Sequence, residues 1–143
     1  MAPSIFRSPP LSAVQRLLAD AGLPVDDLVT QRFQHFFGCG EAREPKGVVG
    51  LELYGEDGLL RSLAVAATAR GHGCAKALVA QAERDAREHG VRRLFLLTTS
   101  AADFFARLGY KETGRERAPA AIRATREFSS LCPSSSTLMV KEI

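Results

Sequence analysis

The sequence predicts an α/β (α+β) fold, with helices on both faces of one mixed, mostly antiparallel central sheet. Three observations carry this. Short runs rich in Val, Ile, Leu and Phe alternate with Gly- and Pro-bearing turn signals. Two segments space their apolar residues for one helical face and stop at a glycine. The run Leu94-Phe95-Leu96-Leu97 is apolar throughout, as a strand buried on both faces requires. Such an order packs as layers around one sheet.

Taken in turn, Ile5 and Phe6 read as a short first strand, closed by Ser8-Pro9-Pro10. Leu11, Val14, Leu17 and Leu18 line one helical face, which ends at Gly22 with Pro24 beyond. Val25 to Arg32 reads as a second short helix. Phe33 to Cys39, Val48 to Tyr54 and Leu59 to Val65 follow as strands, the last two joined across Gly55-Glu56-Asp57-Gly58. Its Asp-Gly pair is a strong hairpin signal. A long helix fits Gly73 to His89, with the stripe Leu78, Val79, Ala82 and Ala86 and a stop at Gly90. Ala101 to Leu108 reads as a helix ended by Gly109. Tyr110 to Arg115 and Thr137 to Ile143 read as strands, with a helix from Ala120 to Leu131 between them.

At 143 residues the expectation is a single domain over residues 1–143. The composition, 45% apolar and 24% charged, is that of a globular chain rather than a disordered one. No apolar run approaches the ~18 residues of a membrane span, and the N-terminus shows no secretory signal, so the expected compartment is cytoplasmic. The net charge of +3 comes without a lysine-rich run or interleaved aromatics, which argues against nucleic acid as a partner. Arginine supplies most of the basic residues, and its fork suits small anionic ligands. Cys39, Cys74 and Cys132 are isolated and odd in number, which points to free thiols. His35, His72 and His89 lack metal-ligand spacing, so no metal is expected.

The segment that carries chemistry is Leu63-Ala64-Val65, four residues, then Arg70-Gly71-His72-Gly73-Cys74-Ala75 and a helix. A strand feeding a glycine-bearing turn at a helix start leaves backbone N–H groups unpaired and pointing one way, and the helix dipole favours an anion there. Glycine lets backbone approach a pyrophosphate closely. Lys76 adds a charge in the first turn. Neither the Walker pattern nor the dinucleotide GxGxxG with its later acid is present.

Leu63-Ala64-Val65 followed by Arg70-x-x-Gly73-x-Ala75 resembles the acetyl-CoA signature of the GNAT N-acetyltransferases, and Ala102-x-Phe104-Phe105-x-x-x-Gly109-Tyr110 resembles their second CoA motif. Leu96-Leu97-Thr98-Thr99-Ser100-Ala101, Gly109-Tyr110, Pro119 and Leu138-Met139-Val140-Lys141 are similar to the acetyltransferase domain of N-acetylglutamate synthases. Gly50-Leu51-Glu52, Leu59 to Val65, Glu127-Phe128 and Leu131-Cys132-Pro133-Ser134 resemble the arsenic-resistance N-acetyltransferases of the ArsN type, over roughly Leu23 to Ile143. The resemblance implies an acyltransferase that uses acetyl-CoA as co-substrate and a small glutamate-like amine as acceptor. Arsinothricin is the leading acceptor, with phosphinothricin beside it.

The same resemblance assigns roles. The backbone of Leu63, Ala64 and Val65 runs along the pantetheine amides, and one N–H there serves the oxyanion. The amides from Gly71 to Lys76, including His72, Gly73, Cys74 and Ala75, hold the pyrophosphate, with Arg70 at the mouth of the turn. Phe104 and Phe105 line the thiol end. Many GNAT enzymes carry a tyrosine at the position of Phe105, whose hydroxyl protonates the departing thiolate. Here the thiolate leaves unassisted, or Ser100 or Tyr110 donates.

Strand register bears on the catalytic base. With Asp57-Gly58 as the loop, Arg61 lies opposite Tyr54 and Glu52 is diagonal to it; with Glu56-Asp57, Glu52 and Arg61 are direct partners. Both loops are even, so the two side chains share a face. A plain cross-strand ion pair is worth ~0.2–1 kcal/mol. In the functional reading Glu52 binds the acceptor ammonium or acts as its base, and Arg61 binds an acceptor carboxylate. Arg115, Arg117, Arg123 and Arg126 form either a solvated face or a source of one arginine over the acceptor, for which Arg117 is the candidate. The synthase-like alignment makes Ser136 a substrate contact, while Ser134 and Ser135 stand where those enzymes carry arginines. Two other classes compete: a non-catalytic acetyl-CoA-binding protein, and an acetyltransferase for other amines or protein lysines. A homodimer is the commonest assembly for a small oligomer.

Overall fold

In the computed structural model, residues 4–23, 35–71, 73–124 and 136–143 are described. The expected helix over Val25 to Arg32, Phe33 of the expected second strand, His72, Cys132 and most of the expected helix end at Leu131 lie outside them. The elements are β1 (Ile5–Arg7), α1 (Leu11–Asp20), β2 (Phe36–Gly40), β3 (Pro45–Tyr54), β4 (Asp57–Val65), α2 (Cys74–Glu88), β5 (Arg93–Thr98), α3 (Ala102–Arg107), β6 (Lys111–Thr113), α4 (Ala120–Arg123) and β7 (Thr137–Glu142). Short 3-10 turns occupy Ala67–Ala69 and Arg115–Arg117. The strands form a seven-stranded sheet in the order β1-β2-β3-β4-β5-β7-β6. Its β4–β5 pairing is parallel, while β1–β2, β2–β3, β5–β7 and β6–β7 are antiparallel. The expected mixed α/β class is the observed one.

Helix ends follow the sequence signals closely. At α1 the N–H of Leu23 donates to Leu18 O (2.9 Å) and that of Gly22 to Ala19 O (3.1 Å), with Gly22 at φ +71°. The same pair of bonds recurs after α2, around Gly90, and after α3, around Gly109. Each is a Schellman end, which needs a left-handed residue and therefore selects glycine.

Two compact units divide the chain: Met1–Leu51 with Ser62–Asp85, and Glu52–Arg61 with Ala86–Ile143. In the first, Val14, Leu17 and Leu18 of α1 pack with Phe36, Val48 and Ala64, and Leu23 covers their edge. Neighbouring Gly47 faces the other side of the sheet, because side chains alternate along a strand. A Cβ there would sit 2.7 Å from Cys74 Sγ and 3.1 Å from Leu78 Cδ1, so Gly47 is where α2 comes down on β3. Phe6 lies opposite Gly38 and Phe36 opposite Gly50, and each ring covers its partner glycine. Asp85 is fully buried and accepts a hydrogen bond from Arg7 Nη2 (2.7 Å), which ties α2 to β1.

In the second unit, Leu59, Phe95, Ala118, Ile122 and Leu138 form the core, edged by Tyr54, Leu97 and Val140. The β3–β4 turn differs from both expected loops. It is Gly55-Glu56, and Asp57 and Gly58 already belong to β4. Gly55 takes the left-handed backbone (φ +70°), whereas Gly58 is buried, with Leu94 Cδ1 3.1 Å and Val91 Cγ1 3.4 Å from where a Cβ would lie. Gly58 is thus a packing glycine, and Asp57 is held by Arg93 at 3.0 Å. Smaller differences concern ends: β3 begins at Pro45, and β6 stops at Thr113 because Arg115–Arg117 turns as 3-10.

Candidate active site

The turn after β4 belongs to the first unit. Leu63 and Val65 are half-buried and Ala64 is buried against the α1 core. Ser62, just before them, holds φ +58° inside the strand, a strained conformation for a residue with a side chain. The chain then passes through the 3-10 turn to Arg70, Gly71 and Gly73, all exposed. Gly71 and Gly73 have φ of +84° and +80°, and no heavy atom lies within 4 Å of where their Cβ atoms would be. The first helical bond runs from Ala77 N–H to Gly73 O (3.0 Å), so the N–H groups of Cys74, Ala75 and Lys76 precede the α2 ladder. Open space at two left-handed glycines, beside the N–H donors of a helix start, suits the approach of a phosphate group. The residues present therefore fit the diphosphate of acetyl-CoA. Lys76 is exposed, and Cys74 is turned inward onto Gly47.

The candidate catalytic and acceptor residues lie in the second unit. The two-residue turn Gly55-Glu56 keeps an even loop, so Glu52 and Arg61 share a face as expected. Arg61 Nη1 donates to Glu52 Oε2 at 2.7 Å, and the hydroxyl of Tyr54 donates to Glu52 Oε1. The Arg61 side chain is 1% exposed and that of Glu52 13%. Arg61 is thus a buried cation facing its counter-charge, and Glu52 stands between it and the surface. Removing one partner of such a pair costs ~3–5 kcal/mol, far above a surface pair. Tyr54 was not among the sequence candidates, although its position two residues from Glu52 on one strand face was the available signal.

Ser136 is buried, and Arg115 Nη1 donates to its Oγ (3.1 Å) and its carbonyl (3.3 Å). Arg117, the favoured arginine of that stretch, is exposed; its N–H closes the 3-10 turn on Gly114 O (2.9 Å). The turn therefore points Arg115, not Arg117, at Ser136. In α3, Phe105 is buried and packs edge-on to Phe104 (5.1 Å) and to Tyr110 (5.6 Å). Of the two hydroxyl donors considered, Tyr110 is buried and Ser100 exposed.

The model of the Acetyltransferase (GNAT) family matches residues 5–110. The chain belongs to the GNAT family. It is thus a member of a family of acetyl-CoA-dependent N-acetyltransferases. It is 43% identical over 63 residues to the uncharacterized N-acetyltransferase CT2212 of Chlorobaculum tepidum, over 44% of this chain and 40% of that protein. The chain thus spans well under half the length of this relative. Among solved structures, it is similar to N-acetylglutamate synthase of Neisseria gonorrhoeae, complexed with coenzyme A and N-acetyl-glutamate (TM-score 0.82, 21% identity, 99% of this chain and 35% of that one). It is also similar to Rv2747 of Mycobacterium tuberculosis in complex with CoA (TM-score 0.81, 24% identity, 99% of both chains). These two likenesses establish the shared GNAT fold.

Proposed function

We propose that this chain acetylates the α-amine of a small glutamate-like amino acid, with arsinothricin or phosphinothricin preferred to glutamate. The observation that carries the reading is the Glu52 carboxylate, held by Tyr54 on one oxygen and Arg61 on the other. Acetyl-CoA supplies an activated acyl group that a neutral amine can attack. The amides from Gly71 to Lys76 bind its diphosphate, and an N–H in the Leu63–Val65 segment serves the oxyanion, worth ~3 kcal/mol in comparable sites. The family resemblance assigns Phe104 and Phe105 to the thiol end.

Glu52 holds the acceptor ammonium and takes its proton, directly or through one water. Arg61 acts through Glu52, as the counter-charge that keeps the carboxylate in place. Arg115 on Ser136, and Arg117 on the exposed side of the same turn, supply forks for the acceptor's acidic ends. A two-acid acceptor requires such forks, since a buried carboxylate without a partner costs several kcal/mol. Serines at 134 and 135, where the synthases carry arginines, favour an acceptor with a larger side-chain acid than glutamate.

Thiol release from acetyl-CoA, measured with arsinothricin, phosphinothricin, glutamate, spermidine and a lysine peptide side by side, tests this. The first two should react fastest. Equal or better activity on glutamate, or on spermidine, overturns the acceptor assignment. Phe105, which has no hydroxyl for the leaving thiolate, favours a second reading, acetyl-CoA binding without turnover. Calorimetric binding with no thiol release from any amine supports that one.

A further inference from the structure

Cys39 and Cys74 are brought together by the fold although 35 positions separate them. Cys39 on β2 lies directly opposite Gly47 on β3 in the antiparallel ladder, so the two point to one face. Cys74, the first residue of α2, rests its Sγ on that same Gly47, 2.7 Å from where a Cβ would be. Leu78 Cδ1 and Val65 Cγ2 border the spot, at 3.1 and 3.2 Å from it. Both thiols are free and buried, at 3% and 5% exposure, and both lie against Gly47.

From this geometry we propose that Cys39 and Cys74 are an oxidisable dithiol, a modification site whose disulfide clamps the start of α2 and weakens acetyl-CoA binding. The oxidant class is a small hydroperoxide. One thiol attacks its outer oxygen, giving a sulfenic acid and an alcohol; the neighbouring thiol then displaces water from that sulfur. Two thiols lose two electrons and two protons in all, and the peroxide O–O bond takes them up.

The mechanical consequence follows from which side can move. An S–S bond is ~2.05 Å, well inside the spacing of two unbonded sulfurs, so the thiols must close on each other to form it. β2 is fixed by ladders to β1 and β3. The first turn of α2 is the freer partner, and it follows directly from Gly73. A displaced helix start misaims the N–H groups of residues 74–76. Burial, and secondly the Cys39 thiol beside it, push the Cys74 thiol up to about 12, so oxidation at neutral pH is slow and accelerates as pH rises.

The effect on binding rests on the phosphate-turn reading above, whereas the crosslink itself does not. The full chain is treated with tert-butyl hydroperoxide at pH 8.5 for hours. Expected are a mass loss of two hydrogens, a Cys39–Cys74 peptide crosslink, and acetyl-CoA affinity at least fivefold weaker by calorimetry, restored by dithiothreitol. Cys74→Ser should abolish both the crosslink and the affinity change, and Cys39→Ala should do the same if the serine variant folds poorly. All three thiols surviving, a crosslink to Cys132, or a Cys39–Cys74 crosslink with unchanged affinity each overturn the proposal. Gly73→Val separates the two failures: wild-type affinity in that variant sinks the phosphate-turn reading, while its loss beside an inert disulfide sinks only the dithiol proposal.

Discussion

In the first unit, the groups that would meet an anion are backbone N–H groups around two exposed glycines, Gly71 and Gly73. In the second, the charges meet as side chains, Glu52 against a buried Arg61, with Tyr54 completing the carboxylate. On the proposed function the turn recognises through main chain and is indifferent to most side chains, but a side chain added at Gly71 or Gly73 blocks it. The Glu52 cluster is the reverse. It depends on single side-chain atoms, and the low dielectric around Arg61 raises the stakes of each. A binding surface made of backbone and one made of buried charge should therefore fail differently when altered.

The largest expected effect breaks the turn. Gly73→Val places branches in the space assigned to the diphosphate under the proposed function and strains a φ of +80°, yet its Cβ meets no neighbour within 4 Å. Calorimetry should detect no acetyl-CoA binding, with circular dichroism unchanged. Wild-type affinity would remove the phosphate group from this turn. Next, Glu52→Gln should lower turnover ~10²-fold while leaving acetyl-CoA affinity within about twofold, if the cluster takes the acceptor's proton as proposed. Tyr54→Phe should lower it less, ~10-fold, since Arg61 still holds the other oxygen. A Glu52→Gln variant with full activity and lowered melting temperature would reduce the cluster to a structural ion pair.

The smallest effect concerns Cys74, beneath the turn. Its thiol is raised from the usual 9.0 to about 12. Between these values the unfolded chain releases the proton and the folded one keeps it, so stability falls as pH rises from about 9 towards 12. Melting curves at pH 8, 9.5 and 11 should show a shallower decline in Cys74→Ser than in the native chain. Equal slopes would mean that Cys74 is not the group responsible.

Much of the fold was legible because its signals are local. Gly22, Gly90 and Gly109 end three helices through the left-handed residue that a Schellman end demands, and each could be read without knowing what the helix packs on. The glycine-bearing turn before α2 was legible for the same reason, since Gly71 and Gly73 take the left-handed backbone there. Misreadings arose where one residue type serves two purposes. Asp57-Gly58 carries the hairpin signal, but Gly58 is small because Leu94 and Val91 crowd it, and the turn moved to Gly55-Glu56. Parity survived that shift, which is why Glu52 and Arg61 still share a face.

By itself the sequence determined most element types among the described residues, three helix stops, the glycine-bearing turn before α2 and the shared face of Glu52 and Arg61, all properties of spacing along one chain. Tertiary structure decided the rest: that Tyr54 completes Glu52, that Arg115 rather than Arg117 reaches Ser136, and that Cys39 meets Cys74 over Gly47. Each of these depends on how one element is rotated or seated upon another. Periodicity fixes which face a residue occupies, but packing of the neighbouring side chains sets where along that face two elements touch.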